Sequence, residues 1–112
     1  LEFRRVLFRS IEEFARVELN SSERFKNLKL TGEHAIKVKD LNAYEITAEA
    51  DVEIGEDVPA QPVRIYLLAV RTPNKDMVLE GFVSPAKWDE YLPAFRAMAV
   101  SYEVTNVPGH QH

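Results

Sequence analysis

A run of acidic residues alternates with apolar ones between positions 42 and 54. Four carboxylates in this run could bind a partner. They are Glu45, Glu49, Asp51 and Glu53, and we call them the acidic ladder. Carboxylates two positions apart on a strand lie roughly 7 Å from each other, too far to share a metal ion unless a loop adds ligands. The ladder could therefore bind a basic protein surface or loosely held divalent cations. We favour the simpler interpretation, a solvated sheet face whose charges protect against aggregation.

A second group consists of aromatic residues spaced as on one side of a helix: Trp88, Tyr91 and Phe95. Such residues could line a ligand pocket between a helix and a sheet. Helical aromatic residues usually pack into a core, however, and core packing is the stronger expectation here.

The histidines give only weak signals. His110 and His112 could bind a metal from an extended tail, but two ligands make a weak, unselective site. Glu33 and His34 could be part of an acid/base pair, although no nucleophile or third partner accompanies them. The sequence therefore predicts no enzyme, no metal site and no cofactor.

The segment that organises the chain runs from Val63 to Val104. Apolar and β-branched residues alternate on both sides of its first part, which predicts a central strand covered on both faces. The residues from Thr72 to Asp76 form a turn, because proline and asparagine favour turn conformations. Met77 to Val83 then predicts the second arm of a hairpin.

Two helices are predicted around the strands. Ile11 to Phe25 has an amphipathic pattern, and Ser84-Pro85 begins a second helix whose apolar stripe would cover the sheet. Pro93 predicts a kink or a break in that helix. Tyr102 to Val104 is expected to form a short closing strand.

Two further strands are predicted at 28–39 and 42–54, and opposite charges should place Lys37 and Lys39 beside Glu45 and Glu49. The element order indicates an α+β fold: an antiparallel β-sheet with an N-terminal helix and a C-terminal helix packed on it. The 112 residues suffice for one domain, which we assign to 11–104, with a flexible tail at 105–112.

Composition narrows the function classes. The chain is 46% hydrophobic and 29% charged, has no cysteine, and contains no apolar run of the roughly 20 residues that a transmembrane helix needs. Its net charge of −4 argues against nucleic acid as the partner.

The first ten residues, LEFRRVLFRS, have an unusual origin in our interpretation. They back-translate to a string that resembles a common sequencing adapter read in frame. We therefore expect residues 1–10 to be non-native and opening strands to be missing. Leaving them out gives 11 basic and 17 acidic residues, which makes the protein more acidic.

Four groups of strings between Ile11 and Val104 are informative together: IEEFARVEL, LNAYEITAEA, VRIYLLAV with MVLEGFV, and WDEYLPAF with AVSYEV. In these strings and in its layout the chain resembles the PsbP-like superfamily, which includes the extrinsic photosystem II protein, Ran-binding Mog-type factors and small bacterial envelope proteins. These strings are structural and carry no functional residue over to this chain.

The resemblance implies a non-catalytic binding or accessory domain that engages another protein, often outside the cytoplasm in the bacterial cell envelope. The alternative is a small-molecule carrier with a pocket between the sheet and the C-terminal helix. An enzyme that uses His34 is the third hypothesis.

Overall fold

The computed structural model describes residues 10–105, with side chains to residue 98. The elements are α1 (Ile11–Asn20), β1 (Phe25–Val38), β2 (Leu41–Val52), β3 (Gln61–Arg71), β4 (Asp76–Val83), a 3₁₀ turn (Pro85–Lys87) and α2 (Trp88–Thr105). The strands form one antiparallel sheet in the order β1-β2-β3-β4. The predicted α+β class is confirmed. The expectations for residues 1–9 and 106–112, which include His110 and His112, lie outside the described residues.

Helix α1 covers one face of the sheet. Ser10 caps it by accepting a hydrogen bond from the Glu13 amide at 3.1 Å. Ala15 and Leu19 are buried against an apolar surface built from all four strands. The helix was expected to reach Phe25 but ends at Asn20, because the polar side chains there and at Ser21 bond to helical carbonyls instead of continuing the turn.

The β1–β2 hairpin is tighter than the sequence predicted. Its loop is only Lys39-Asp40, with φ values of 49° and 71°, so that Val38 pairs directly with Leu41. Positive φ at both positions is typical of a turn whose twist matches the flanking strands. The sequence pattern predicts a turn over Asp40–Asn42, whereas the observed loop begins one residue earlier and ends two residues earlier.

The pairing register also differs from the expected lysine contacts. Lys37 lies opposite Asn42, whereas Lys29 and Lys26 lie opposite Glu49 and Asp51. Two irregularities in β1 set this register, one between Lys26 and Lys29 and one between Leu30 and Gly32, where the residues 31–33 interrupt the apolar alternation. Opposite charges do face each other across the strands, but the lysines come from the beginning of β1.

Helix α2 packs on the second face of the sheet, against β3 and β4. It continues through Pro93 and through the segment 102–104, so the expected closing strand is wrong. Trp88 is buried, and Leu92 and Phe95 are half-buried among apolar residues of the sheet. Tyr91 and Met98 are 40% and 49% exposed, so the buried stripe is narrower than predicted.

Candidate functional site

The acidic ladder does not behave as one uniform solvated surface. Three of its carboxylates are at least partly accessible, and each has a polar partner. Glu49 lies 3.6 Å from Arg64, Asp51 accepts a hydrogen bond from Asn27 at 2.9 Å, and Glu53 pairs with Lys26. Exposed pairs of this kind contribute little to stability. They also leave these carboxylates partly neutralised toward an outside partner.

Glu45 differs from the rest of the ladder, since it is only 4% exposed. Tyr66 donates a hydrogen bond to Glu45 Oε2 at 2.8 Å, and Arg96 of α2 donates two bonds to the carboxylate at 3.0 and 3.1 Å. The paired Arg96 bonds suit a carboxylate geometrically. The solvated position expected for Glu45 is therefore wrong: α2 covers it, and its charge is used inside the fold.

The network fixes the ionisation of its members. Burial is the largest single influence on Glu45 and opposes its charge. The hydrogen bonds from Arg96 and Tyr66, with the electrostatic contributions of Arg96 and His34, outweigh burial and hold the pKa of Glu45 below the ordinary value. Burial and the neighbouring carboxylate raise the pKa of the Tyr66 hydroxyl. Glu45 is consequently an anion at neutral pH and Tyr66 remains a donor.

Glu33 and His34 do not form an acid/base pair. Successive side chains on a strand point to opposite faces, and Glu33 lies on the α1 side. There it accepts hydrogen bonds from Arg16 at 2.7 Å and from Tyr44 at 3.0 Å. The His34 side chain is exposed, at the position opposite Glu45, and makes no side-chain hydrogen bond to another described residue.

In α2, Trp88 and Tyr91 pack around the ring of Phe95 rather than around a ligand pocket. Phe95 stacks on Tyr66 at a centroid distance of 5.7 Å, with Trp88 at 6.5 Å and Tyr91 at 6.4 Å. Phe95 also lies directly over Gly81, where a Cβ atom would come within 2.6 Å of the ring. The glycine thus permits a close approach of helix and strand.

An open cleft of about 660 Å³ lies beside α2 on the same face of the sheet. Residues 34–39 form one wall, and the remaining lining comes from Glu45, Tyr66, Leu68 and Arg96. Its volume falls within the range of small-molecule sites. Trp88, Tyr91 and Phe95 do not line it, although Tyr66 connects the cleft to their cluster.

The cleft has an apolar floor and a polar rim. Ile36, Val38 and Leu68 belong to the apolar cluster of this face. Lys37 and Lys39 are exposed at the wall, and Lys37 donates a hydrogen bond to the Asn42 side chain at 2.7 Å. The arrangement can hold an apolar group on the floor while acidic groups reach the rim.

Sequence reasoning missed this cleft. The alternation of Ile36 and Val38 with lysines was visible, but it predicted only a strand. No pattern indicated that Arg96, 51 residues from Glu45 along the chain, would lie at the end of the cleft.

In the described part of the chain, whose side chains extend to residue 98, no group of three or more His, Asp or Glu side chains is placed to hold a metal ion. Within the same part of the chain, no helix is long and apolar enough to cross a membrane.

Comparison with known proteins bears on the fold alone. No family model matches the sequence, and no curated protein matches it. The structure is similar to the crystal structure of PA94 from Pseudomonas aeruginosa, a protein of unknown function described as a candidate regulator. The TM-score is 0.62 at 14% sequence identity, with 87% of this chain and 60% of that one covered. This chain thus spans less than two thirds of a protein that shares its fold.

Proposed function

We propose that the protein is a non-catalytic binding domain that engages another protein through the cleft beside α2. The observation that carries the proposal is the open cleft, whose apolar floor lies beside an edge strand and turn that carry the exposed Lys37 and Lys39. An open site leaves part of its occupant in solvent, which suits a segment of a larger partner.

The acidic ladder is a less suitable partner surface than the cleft. Glu45 is enclosed by Tyr66 and Arg96, and the other three carboxylates have partners within the chain. Binding there would have to displace existing pairs, whereas binding in the cleft covers the partly exposed Ile36 and the small exposed parts of Val38 and Leu68.

A photo-crosslinking experiment tests the proposal. Benzoylphenylalanine is placed at Lys39, which lines the cleft, and in a matched variant at Lys75, an exposed lysine in the β3–β4 turn. In bacterial cells we expect one protein to crosslink reproducibly from position 39 and not from position 75. Equal labelling from both positions, or none from position 39, would contradict it.

The second candidate function is a small-molecule carrier, which the volume of the cleft favours. Trp88 contacts Phe95, which stacks on Tyr66 at the cleft, so an apolar ligand there should alter the fluorescence of this single tryptophan. Unchanged emission across a panel of apolar ligands would remove this candidate.

The resemblance to PsbP-like envelope proteins supports an extracytoplasmic location in bacteria as part of the same proposal. The reading frame upstream of Ile11, recovered from genomic DNA, provides the test. A signal peptide or lipid-anchor cysteine would support this location, and a cytosolic start codon directly before Ile11 would contradict it.

A further inference from the structure

We infer that the cleft receives an extended acidic segment of a partner protein, which adds to the sheet as a fifth strand beside β1. This inference rests on the proposed function and names the chemistry of the partner. It starts from the position of β1, which lies at one edge of the sheet with β2 as its neighbour.

The second half of β1 is a regular edge. From Gly32 to Val38 every residue pairs with β2 in one uninterrupted register, whereas both irregularities lie earlier in the strand. Bulges and strong twist at an edge discourage the addition of another strand. The region that lacks them is the region that forms the wall of the cleft.

The two-residue turn determines which backbone groups face outward. In such a hairpin the closing pair, here Val38 and Leu41, exchanges hydrogen bonds, and the bonded pairs then alternate along the ladder. The N–H and C=O groups of Glu33, Ala35 and Lys37 therefore point away from β2. A row of such groups is the template that strand addition requires.

The side chains specify the composition of the added strand. Ile36 and Val38 lie on the cleft face, so the residues beside them should be apolar. Lys37 lies on the opposite face and favours an acidic neighbour. Lys39 adds a second cation, partly offset by Asp40, while Glu33 is already paired with Arg16. An alternation of acidic and apolar residues satisfies both faces.

Lysine at a strand edge also has the opposite use, since it discourages association between sheets. An acidic strand distinguishes these two roles. It should bind if the lysines serve to attract a partner strand, and it should not bind if they serve to prevent association.

The probe is a fluorescein-labelled peptide in which glutamate and valine alternate, and binding to the full chain is followed by fluorescence anisotropy.

The Ala35→Pro variant tests the outward backbone groups. It removes one outward N–H but no hydrogen bond to β2, so the sheet should persist. Ala35→Val is its control. We expect the proline to weaken binding about tenfold or more, as the loss of one strand hydrogen bond with steric blocking implies. A peptide methylated on the nitrogens of one edge should likewise fail to bind.

Charge reversal supplies a second pair of variants. Lys37→Glu should weaken binding, whereas Lys75→Glu makes the same charge change away from the cleft and should not. A peptide with lysine in place of glutamate should bind less well than the acidic peptide.

Three results would overturn the inference: no binding of the acidic peptide, binding that Ala35→Pro leaves intact, or a dimer of this chain that Ala35→Pro abolishes. In the case of a dimer, the strand added beside β1 would come from a second copy of this chain. If a partner crosslinked at position 39 still binds the Ala35→Pro variant, strand addition fails while the proposed binding function stands.

Discussion

At the scale of single residues, the buried carboxylate Glu45 joins three elements: β2, which carries it, β3 through Tyr66, and α2 through Arg96. Half of the Arg96 side chain is exposed, so water can replace part of its interaction. Tyr66 is 1% exposed and has no such replacement. The loss of stability on removal of Glu45 should therefore come mainly from the Tyr66 hydroxyl, which is left without its acceptor.

We expect Glu45→Ala to lower the free energy of unfolding by about 1–3 kcal/mol, since it leaves a buried donor without its acceptor. Urea denaturation measures this change. Glu49→Ala is the matched control, because Glu49 is accessible and only loosely paired with Arg64, and it should cost less than about 0.5 kcal/mol. Equal losses in the two variants would contradict the role assigned to the network.

The lowered pKa of Glu45 also predicts how stability depends on pH. In the unfolded chain this carboxyl returns to its ordinary pKa of 4.5 and binds protons more readily than in the fold. Its contribution is therefore fully present above that pKa and is lost as the pH falls through the lower folded-state pKa. Glu33, whose pKa is lowered by its bond to Arg16, acts in the same direction.

Unfolding measured at pH 7 and pH 3 tests this dependence. The loss of stability on acidification should be smaller in Glu45→Gln than in the parent, because the variant has no titrating group at this position. Glu49→Gln should retain the parent's loss. The same pH dependence in all three proteins would show that Glu45 does not contribute to it.

At the scale of elements, the contact between α2 and β4 depends on Gly81, which has no side chain. A Cβ at Gly81 would lie 2.6 Å from Phe95 Cε1, whereas a Cβ at Gly55 would meet nothing closer than 3.7 Å. We expect Gly81→Ala to destabilise the fold by about 1–3 kcal/mol through displacement of the ring. Gly55→Ala should be close to neutral by the same thermal-unfolding measurement.

A double variant separates this steric effect from a change in β4 itself. In a Phe95→Leu background the added methyl has room, so Gly81→Ala should cost less than in the parent. An unchanged cost would place its origin in the strand rather than in the contact with the helix.

At the scale of the whole molecule, the sheet is covered unevenly. Residues 65–70 of β3 are all buried, whereas much of β1 is exposed at the edge. Amide hydrogen exchange should therefore be slowest in β3 and in the buried part of β2, and faster in β1. Exchange of the outward amides of Glu33, Ala35 and Lys37 as slow as that of β3 would indicate that the edge is covered in solution, contrary to the strand-addition proposal.

The α+β class, the hairpin of β3 and β4, and the start of α1 at Ile11 were predictable from local patterns. The patterns are the alternation of apolar residues in strands, the turn residues between them, and the amphipathic spacing of the helix. The buried character of Trp88 and the half-buried position of Phe95 also agree with core packing, because their helical spacing directs them to the same side.

Local patterns did not predict which polar residues are buried, which strand contacts which charge, or where the cleft lies. Glu45 has the same alternating pattern as Glu49, and the difference between them is that Arg96 and Tyr66 reach only the first. The last residues of the chain's second helix likewise continue from the preceding turns instead of forming a strand. Contacts between residues far apart in sequence set the burial of Glu45, the charge pairing and the position of the cleft, and local propensity carries no information about such contacts.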